Sequence, residues 1–276
     1  MTQRSTTTDA LTSHAGASAP AGSLVGCEHV DRVAVLTLAN PARRNALSRD
    51  VLMALRDQLR VIAGDAAIKC VILKADGPVF SSGHDLREVA TASREQAEAL
   101  FTLCTEVMEA IRHLPQPVIA QVQGVATAAG CQLVATCDLV IAAETATFAT
   151  PGVRIGLFCS TPAVALARAV STKKAMEMLL TGDAITATEA ERIGLVNRVV
   201  PSDQLAAETL KLARQIASAS GAVLALGKRT FYEQLSLDRP AAYKVAECAM
   251  VENAALPDAQ EGIDAFLNKR PPQWRT

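Results

Sequence analysis

Two short glycine-containing segments constrain this chain most: Phe80-Ser81-Ser82-Gly83-His84-Asp85 and Gly124-Val125-Ala126-Thr127-Ala128-Ala129-Gly130-Cys131-Gln132. Each follows an apolar run with strand character, Val71-Ile72-Leu73 in the first case and Val118-Ile119-Ala120-Gln121-Val122 in the second. Each then turns through small residues into a predicted helix. Turns of this kind can leave backbone N–H groups pointing into a cleft. Two such donors converging on one carbonyl oxygen form an oxyanion hole, which stabilises an enolate or a tetrahedral anion. The second segment also sets a helix N-terminus, with its partial positive charge, behind that oxygen. The helix that follows carries Gln132 where acid–base chemistry calls for a carboxylate.

The chain has 276 residues, half of them hydrophobic, so it can bury a large core. A net charge of −1 and only 3% aromatic residues give no basic face with interleaved rings, which argues against a nucleic-acid partner. No apolar run approaches the roughly 20 residues needed to span a bilayer. The seven cysteines form no CxxC pair and sit mostly in apolar runs. They read as buried hydrophobes in a reducing cytoplasm, without structural disulfides. The four histidines are scattered, without metal-ligand spacing. Residues 1–22, rich in Ser, Thr, Ala and Gly, read as a flexible tail and a poor transit peptide.

Strands are expected at Leu24–His29, Val33–Leu38, Cys70–Lys74, Val118–Val122, Leu139–Ala142 and Thr147–Ala149. Helices are expected after Ser48, over Arg94–Leu114 and from Ala129 to about Cys137. Beyond Pro162 the pattern is mostly helical, with one strand at Val196–Val200. The fold class is therefore α/β: a stacked spiral of strand–strand–helix units over residues 23–200, then a helical C-terminal region over 201–276.

From about residue 24 onward the chain resembles the crotonase (enoyl-CoA hydratase/isomerase) superfamily. The resemblance rests on Asn40-Pro41-Ala42-Arg43-Arg44-Asn45-Ala46-Leu47, Phe80–Leu86, Gly124–Leu133 with Cys137-Asp138, Phe148–Gly156, Leu180-Thr181-Gly182, Gly194-Leu195-Val196 and Glu261-Gly262-Ile263-Asp264-Ala265-Phe266, all in the family's order. Within the family, Gly124–Gln132 and Gly156–Pro162 resemble the enoyl-CoA hydratase domain-containing protein 3 branch. The resemblance implies a crotonase-like spiral of ββα turns, assembled as a homotrimer or a hexamer built as a dimer of trimers. It implies acyl-CoA thioester binding, lyase or isomerase chemistry of fatty acid metabolism, and no tightly bound cofactor: coenzyme A enters as part of the substrate.

Carried over position by position, the oxyanion donors are the backbone N–H groups of His84 and Ala129. Arg43, Arg44, Ser82 and Arg87 fall along the coenzyme A path, and Phe266 and Lys269 match tail positions that contact the coenzyme A of a neighbouring subunit. The two glutamates that family hydratases use to grip a water are replaced, the first by Gln132 and the second by Gly152. A neutral amide can hydrogen-bond a water but cannot serve as a carboxylate base. Several readings follow from the residues. Gln132 orients water or substrate, or only holds its helix. Gly152 makes room for a bulkier acyl chain. The His84 imidazole caps a turn or takes part in catalysis or ligand sensing. Asp85 caps a turn or helix, Glu88 is a solvated helix acid, and Ser160 or Thr161 caps a helix. The function expected is an acyl-CoA-binding hydratase/isomerase-family enzyme. The alternatives are a thioester-binding regulator with little turnover, or another reaction of the family such as decarboxylation or thioester hydrolysis. The compartment is the cytoplasm, or the mitochondrial matrix if the source is eukaryotic.

Overall fold

The computed structural model describes residues 23–275; the expected N-terminal tail lies outside the described residues. The chain opens with a hairpin, β1 (Val25–Val30) and β2 (Val33–Leu38), followed by α1 (Arg49–Ala63). The Ser48 hydroxyl accepts the Val51 N–H and starts α1, which buries Val51, Leu52, Leu55, Leu59 and Ile62 on one face. Next come β3 (Cys70–Ala75), β4 (Val79–Ser81), the short α2 (Leu86–Thr91) and the long α3 (Arg94–His113). A reciprocal box between Ser93 and Gln96 starts α3. Pro115 and Pro117 follow its end.

The unit then repeats. β5 (Val118–Val122), β6 (Val125–Thr127) and α4 (Ala129–Thr136) form one turn of the spiral; β7 (Leu139–Ala143), β8 (Thr147–Ala149), a 3₁₀ turn at Pro151–Ile155 and α5 (Ser160–Ala169) form the next. In each turn the first strand joins a six-stranded sheet ordered β1-β2-β3-β5-β7-β10, where β10 is Arg198–Val200, and the second joins a four-stranded sheet ordered β4-β6-β8-β9, where β9 is Ile185–Thr186. Pairing is parallel from β2 through β3, β5, β7 and β10, and from β4 through β6 to β8. The chain thus climbs by one strand in both sheets at every turn, which is the ββα spiral expected from the sequence.

The remaining elements are α6 (Thr172–Thr181), β9 (Ile185–Thr186), α7 (Ala187–Arg192), β10 (Arg198–Val200), α8 (Leu205–Ala217), α9 (Gly221–Gln234), α10 (Arg239–Ala255) and α11 (Pro257–Leu267). The main core fills the space between the two sheets and α1, α3 and α4. A smaller core lies on the other face of the large sheet, where Leu205, Ala213 and Ala217 of α8 cover Val33, Cys70, Ile72, Ile119 and Ile141. No described helix is long and apolar enough to cross a membrane.

The structure adds elements of two to six residues, namely β4, α2, β6 and β9, and shortens the strand expected at Val196–Val200 to β10. Leu195 and Val196 instead close a turn on the Ala190 carbonyl at 2.9 and 3.2 Å. The expected cap of α5 is also corrected. Its N-cap is Cys159, with no side-chain cap bond, and the Ser160 hydroxyl turns back onto the Phe158 carbonyl.

Candidate active site

The two glycine-containing turns meet. A Cβ added to Gly83, whose φ is +85°, would stand 2.9 Å from the Ala128 Cβ and 3.1 Å from the Ala129 nitrogen. Only a residue without a side chain lets the first turn close on the second in this left-handed conformation. The first turn is tied down by Leu47 N–H on the Gly83 carbonyl at 2.7 Å and by Ser82 N–H on the Arg44 carbonyl at 3.0 Å. Behind them the fully buried Asn45 side chain accepts Asn40 N–H and donates to the Asp76 and Val79 carbonyls at 2.8 and 2.7 Å. The Asn40–Leu47 motif is thus the clamp that seats the first turn.

In the second turn Ala128 holds φ 50°, ψ −119°, a conformation that favours glycine, and its N–H is fixed on the Ala149 carbonyl at 2.9 Å. Ala129 opens α4, so its N–H has no partner within the helix. No turn or loop hydrogen bond uses the His84 N–H either among the described residues.

Both turns border one cavity of about 540 Å³, lined also by the 3₁₀ turn at 151–155 and the start of α5. Its lining is mostly apolar. Ser82, His84, Ala129 and Gly152 all lie on it, so the structure brings together four residues that the sequence singled out. Ser160 and Thr161 border it too, whereas Gln132 and the residues expected along the coenzyme A path other than Ser82 are elsewhere. Arg43 and Arg87 line an adjacent, open cavity of about 590 Å³, with Asp50, Asp85 and Glu88 among its walls. Gln132 borders neither; it lies on a third cavity of about 210 Å³ between α3, α4 and α5, which shares Thr161 with the main one. Its Oε1 is buried without a hydrogen-bond partner. Arg44 is exposed at a positive φ, while Phe266 and Lys269 are exposed at the far C-terminal end; none of the three lines these cavities.

The absent side chain of Gly152 makes room for protein rather than substrate. The Leu157 carbonyl and the Cys159 sulfur occupy the space a Cβ would take. That corrects the expectation of a wider acyl chamber at this position. Asp85 does cap α2, accepting Arg87 N–H at 2.9 Å, and pairs with Arg43 at 3.5 Å. Glu88 accepts Arg49 N–H at 3.0 Å and so braces the start of α1, a role its sequence position did not reveal.

Sequence reasoning did not find Phe101, Arg154, Leu157 or Phe158, which also line the main cavity. Phe101 was detectable: it falls just off the buried stripe of α3, where Leu100, Leu103, Cys104 and Val107 point inward. Leu157 and Phe158 are large apolar residues left 40% and 43% exposed, because the cavity they line is open. Arg154 is engaged at the rim, with Asp183 and the Thr181 carbonyl.

His84 has its Nδ1 3.3 Å from the Leu47 carbonyl oxygen. A carbonyl can only accept, so Nδ1 carries the proton and Nε2 the lone pair. Nε2 is buried and unpartnered, and the Phe101 ring meets the imidazole edge-on with centroids 5.2 Å apart. Burial pushes the imidazole pKa below its ordinary value, partly offset by the Leu47 carbonyl. Burial also raises the Cys159 thiol.

Residues 28–276 match the model of the enoyl-CoA hydratase/isomerase family. The chain belongs to that family. It is 52% identical over 265 residues to mouse enoyl-CoA hydratase domain-containing protein 3, spanning 94% of this chain and 88% of that one; that relative is mitochondrial by name. The crystal structure of human enoyl-CoA hydratase domain-containing protein 3 superposes with a TM-score of 0.87 at 50% identity, covering 91% of this chain and all of the other. An enoyl-CoA hydratase from Mycobacterium smegmatis superposes with a TM-score of 0.90 at 47% identity, covering 92% and 100%. The resemblance read from the motifs is therefore correct at the level of both family and branch.

Proposed function

We propose that this protein binds an acyl-CoA thioester in the 540 Å³ cavity and polarises its carbonyl with the backbone N–H groups of His84 and Ala129, so stabilising the enolate. The observation that supports the reading is the closure of Gly83 onto Ala128 and Ala129 beside a mostly apolar cleft that His84 and Ala129 both line. In a water-poor setting such fixed donors are worth far more than in bulk water. Arg43 and Arg87, on the adjoining cavity, supply positive charge for the coenzyme A phosphates.

Efficient hydration is not part of this function. Among the described residues no Asp or Glu lines the cavity, Gln132 stands outside it, and position 152 has no side chain. A general acid–base group contributes roughly 10²- to 10⁴-fold. Hydration of crotonyl-CoA should therefore run at least about 10²-fold below a two-carboxylate site. The same lining supports the alternative of a thioester-binding protein with little turnover.

The assembly fits a homotrimer or a dimer of trimers. α10 buries none of its residues within the chain, and Phe231, Tyr243, Met250, Val251, Phe266 and Leu267 of α9–α11 stand exposed. In that assembly Phe266 and Lys269 reach the coenzyme A of a neighbour.

Ala129→Pro tests the reading. It removes one N–H at a helix position where proline is tolerated. The variant should fold, as seen by circular dichroism, and lose affinity for acetoacetyl-CoA. A folded variant that binds as tightly as wild type would refute the oxyanion assignment.

A further inference from the structure

We propose that the His84 imidazole is the proton-transferring group of this cleft, acting through Nε2. The inference rests on thioester binding at the same cavity. Among the described residues three side chains on its wall can titrate: His84, Arg154 and Cys159. Arg154 is bound to Asp183 and the Thr181 carbonyl, and a guanidinium accepts no proton. Burial keeps the Cys159 thiol protonated. His84 remains, and its tautomer is already set: Nδ1–H faces the Leu47 carbonyl, leaving a lone pair on Nε2.

That lone pair is an orphan, buried without a partner. Leaving a buried acceptor unpaired costs free energy, so such atoms mark either strain or a missing ligand. Phe101 also borders the cavity, and its ring leans on the imidazole. An entering thioester must push that ring aside for its α-carbon to meet Nε2. There a new N–H bond forms as the α-C–H bond breaks. The C–H electron pair moves into the thioester, giving an enolate whose oxygen is held by the His84 and Ala129 N–H groups. The imidazolium then returns the proton to carbon, so no other reactant is consumed. One residue thus supplies both an oxyanion donor, from its backbone, and the base, from its ring. Burial keeps the ring neutral and able to act as a base at neutral pH.

The charged groups near it are largely engaged: Asp85 with Arg43, Glu88 with Arg49 N–H, and Arg154 with Asp183. Glu98 lies one turn before Phe101 on α3.

The test is deuterium incorporation at the α-carbon of butyryl-CoA in D₂O, read by mass spectrometry, with binding read by equilibrium dialysis. His84→Gln keeps the backbone N–H. It should still bind butyryl-CoA and, at saturating ligand, exchange at least about 10²-fold more slowly than wild type. The wild-type rate should climb from acid pH to a plateau with a midpoint below 6.5, and His84→Gln should lack that limb. Exchange by His84→Gln at the wild-type rate overturns the proposal. So does a wild type that binds but does not exchange, or whose exchange shows no such limb, a reading that needs no variant. A wild type that does not bind butyryl-CoA refutes the thioester reading on which the proposal rests.

Discussion

The carbonyl oxygen of Leu157 stands where Gly152 would carry a side chain: a Cβ built on residue 152 falls 2.0 Å from it. The two residues are also hydrogen-bonded, Leu157 N–H to the Gly152 carbonyl at 2.9 Å. The glycine therefore closes the 3₁₀ turn that walls the cavity, and its loss of a carboxylate is built into the backbone. Gly152→Ala should destabilise the protein by about 1–3 kcal/mol through overpacking, measured as a lower midpoint in urea. Gly152→Glu with Gln132→Glu should not create a hydratase. The first clashes, and residue 132 borders a different cavity. A double variant that stays folded and consumes crotonyl-CoA rapidly, followed by loss of enoyl absorbance, would contradict this.

Ala128 gives a prediction of opposite sign. Its φ of 50° with ψ −119° suits glycine and not alanine, and strain of this kind costs of order 1–3 kcal/mol. Ala128→Gly relieves it while adding about 0.5–1 kcal/mol of unfolded-state entropy. The variant should be as stable as wild type or more so, by up to about 2 kcal/mol, in chemical denaturation. Thioester binding should be preserved, since the Ala129 N–H stays in place. A clear loss of stability would mean that the Ala128 methyl packs more favourably than its backbone strains.

Asp138 and Lys228 join the C-terminal helices to the spiral. Lys228 Nζ lies 2.7 Å from Asp138 Oδ2 and also donates to the Ile111 and Gln116 carbonyls. Asp138 further accepts Val118 N–H and the Tyr232 hydroxyl. Both side chains are nearly buried. Removing one partner of such a pair leaves a buried charge uncompensated, at about 3–5 kcal/mol. Lys228→Met should therefore lower the urea midpoint strongly. Arg229→Met, on an exposed pair between α9 and Glu252, should change it by less than about 1 kcal/mol. Equal effects would argue against the buried pair as the anchor of α9.

What the sequence revealed was local. Ser48 caps α1 where it was expected to, because a cap and an apolar stripe are written in neighbouring residues. The strands β4, β6 and β9 were not legible: two or three residues show no period, and their hydrogen bonds come from distant strands. The same limit applied to the site. The two turns were visible as small residues after apolar runs, but their contact through Gly83 and Ala128 is a tertiary fact. Cys137-Asp138 was recognisable as a motif, while its partner Lys228 lies ninety positions along the chain. The steric reason for Gly152 depended on the path of Leu157, which no pattern at position 152 announces.

The buried imidazole of His84 also links stability to pH. Unfolded, it takes up a proton near 6.5; folded, it does so only at lower pH, because burial disfavours the charged ring. Between those two values the unfolded chain holds more protons than the native one, so stability falls as pH falls through that window and levels off below the folded value. Glu189 and Glu261, held down to about 2 chiefly by hydrogen bonds from Arg192 and Arg270, lose their contribution only as pH drops below the ordinary carboxylate value of 4.5. The two effects are therefore separated in pH. His84→Gln removes the first and keeps the second. Urea midpoints at about pH 7.5 and about pH 5 should differ more for wild type than for His84→Gln. Equal differences would show that the ring titrates alike in both states and is not held neutral by the fold.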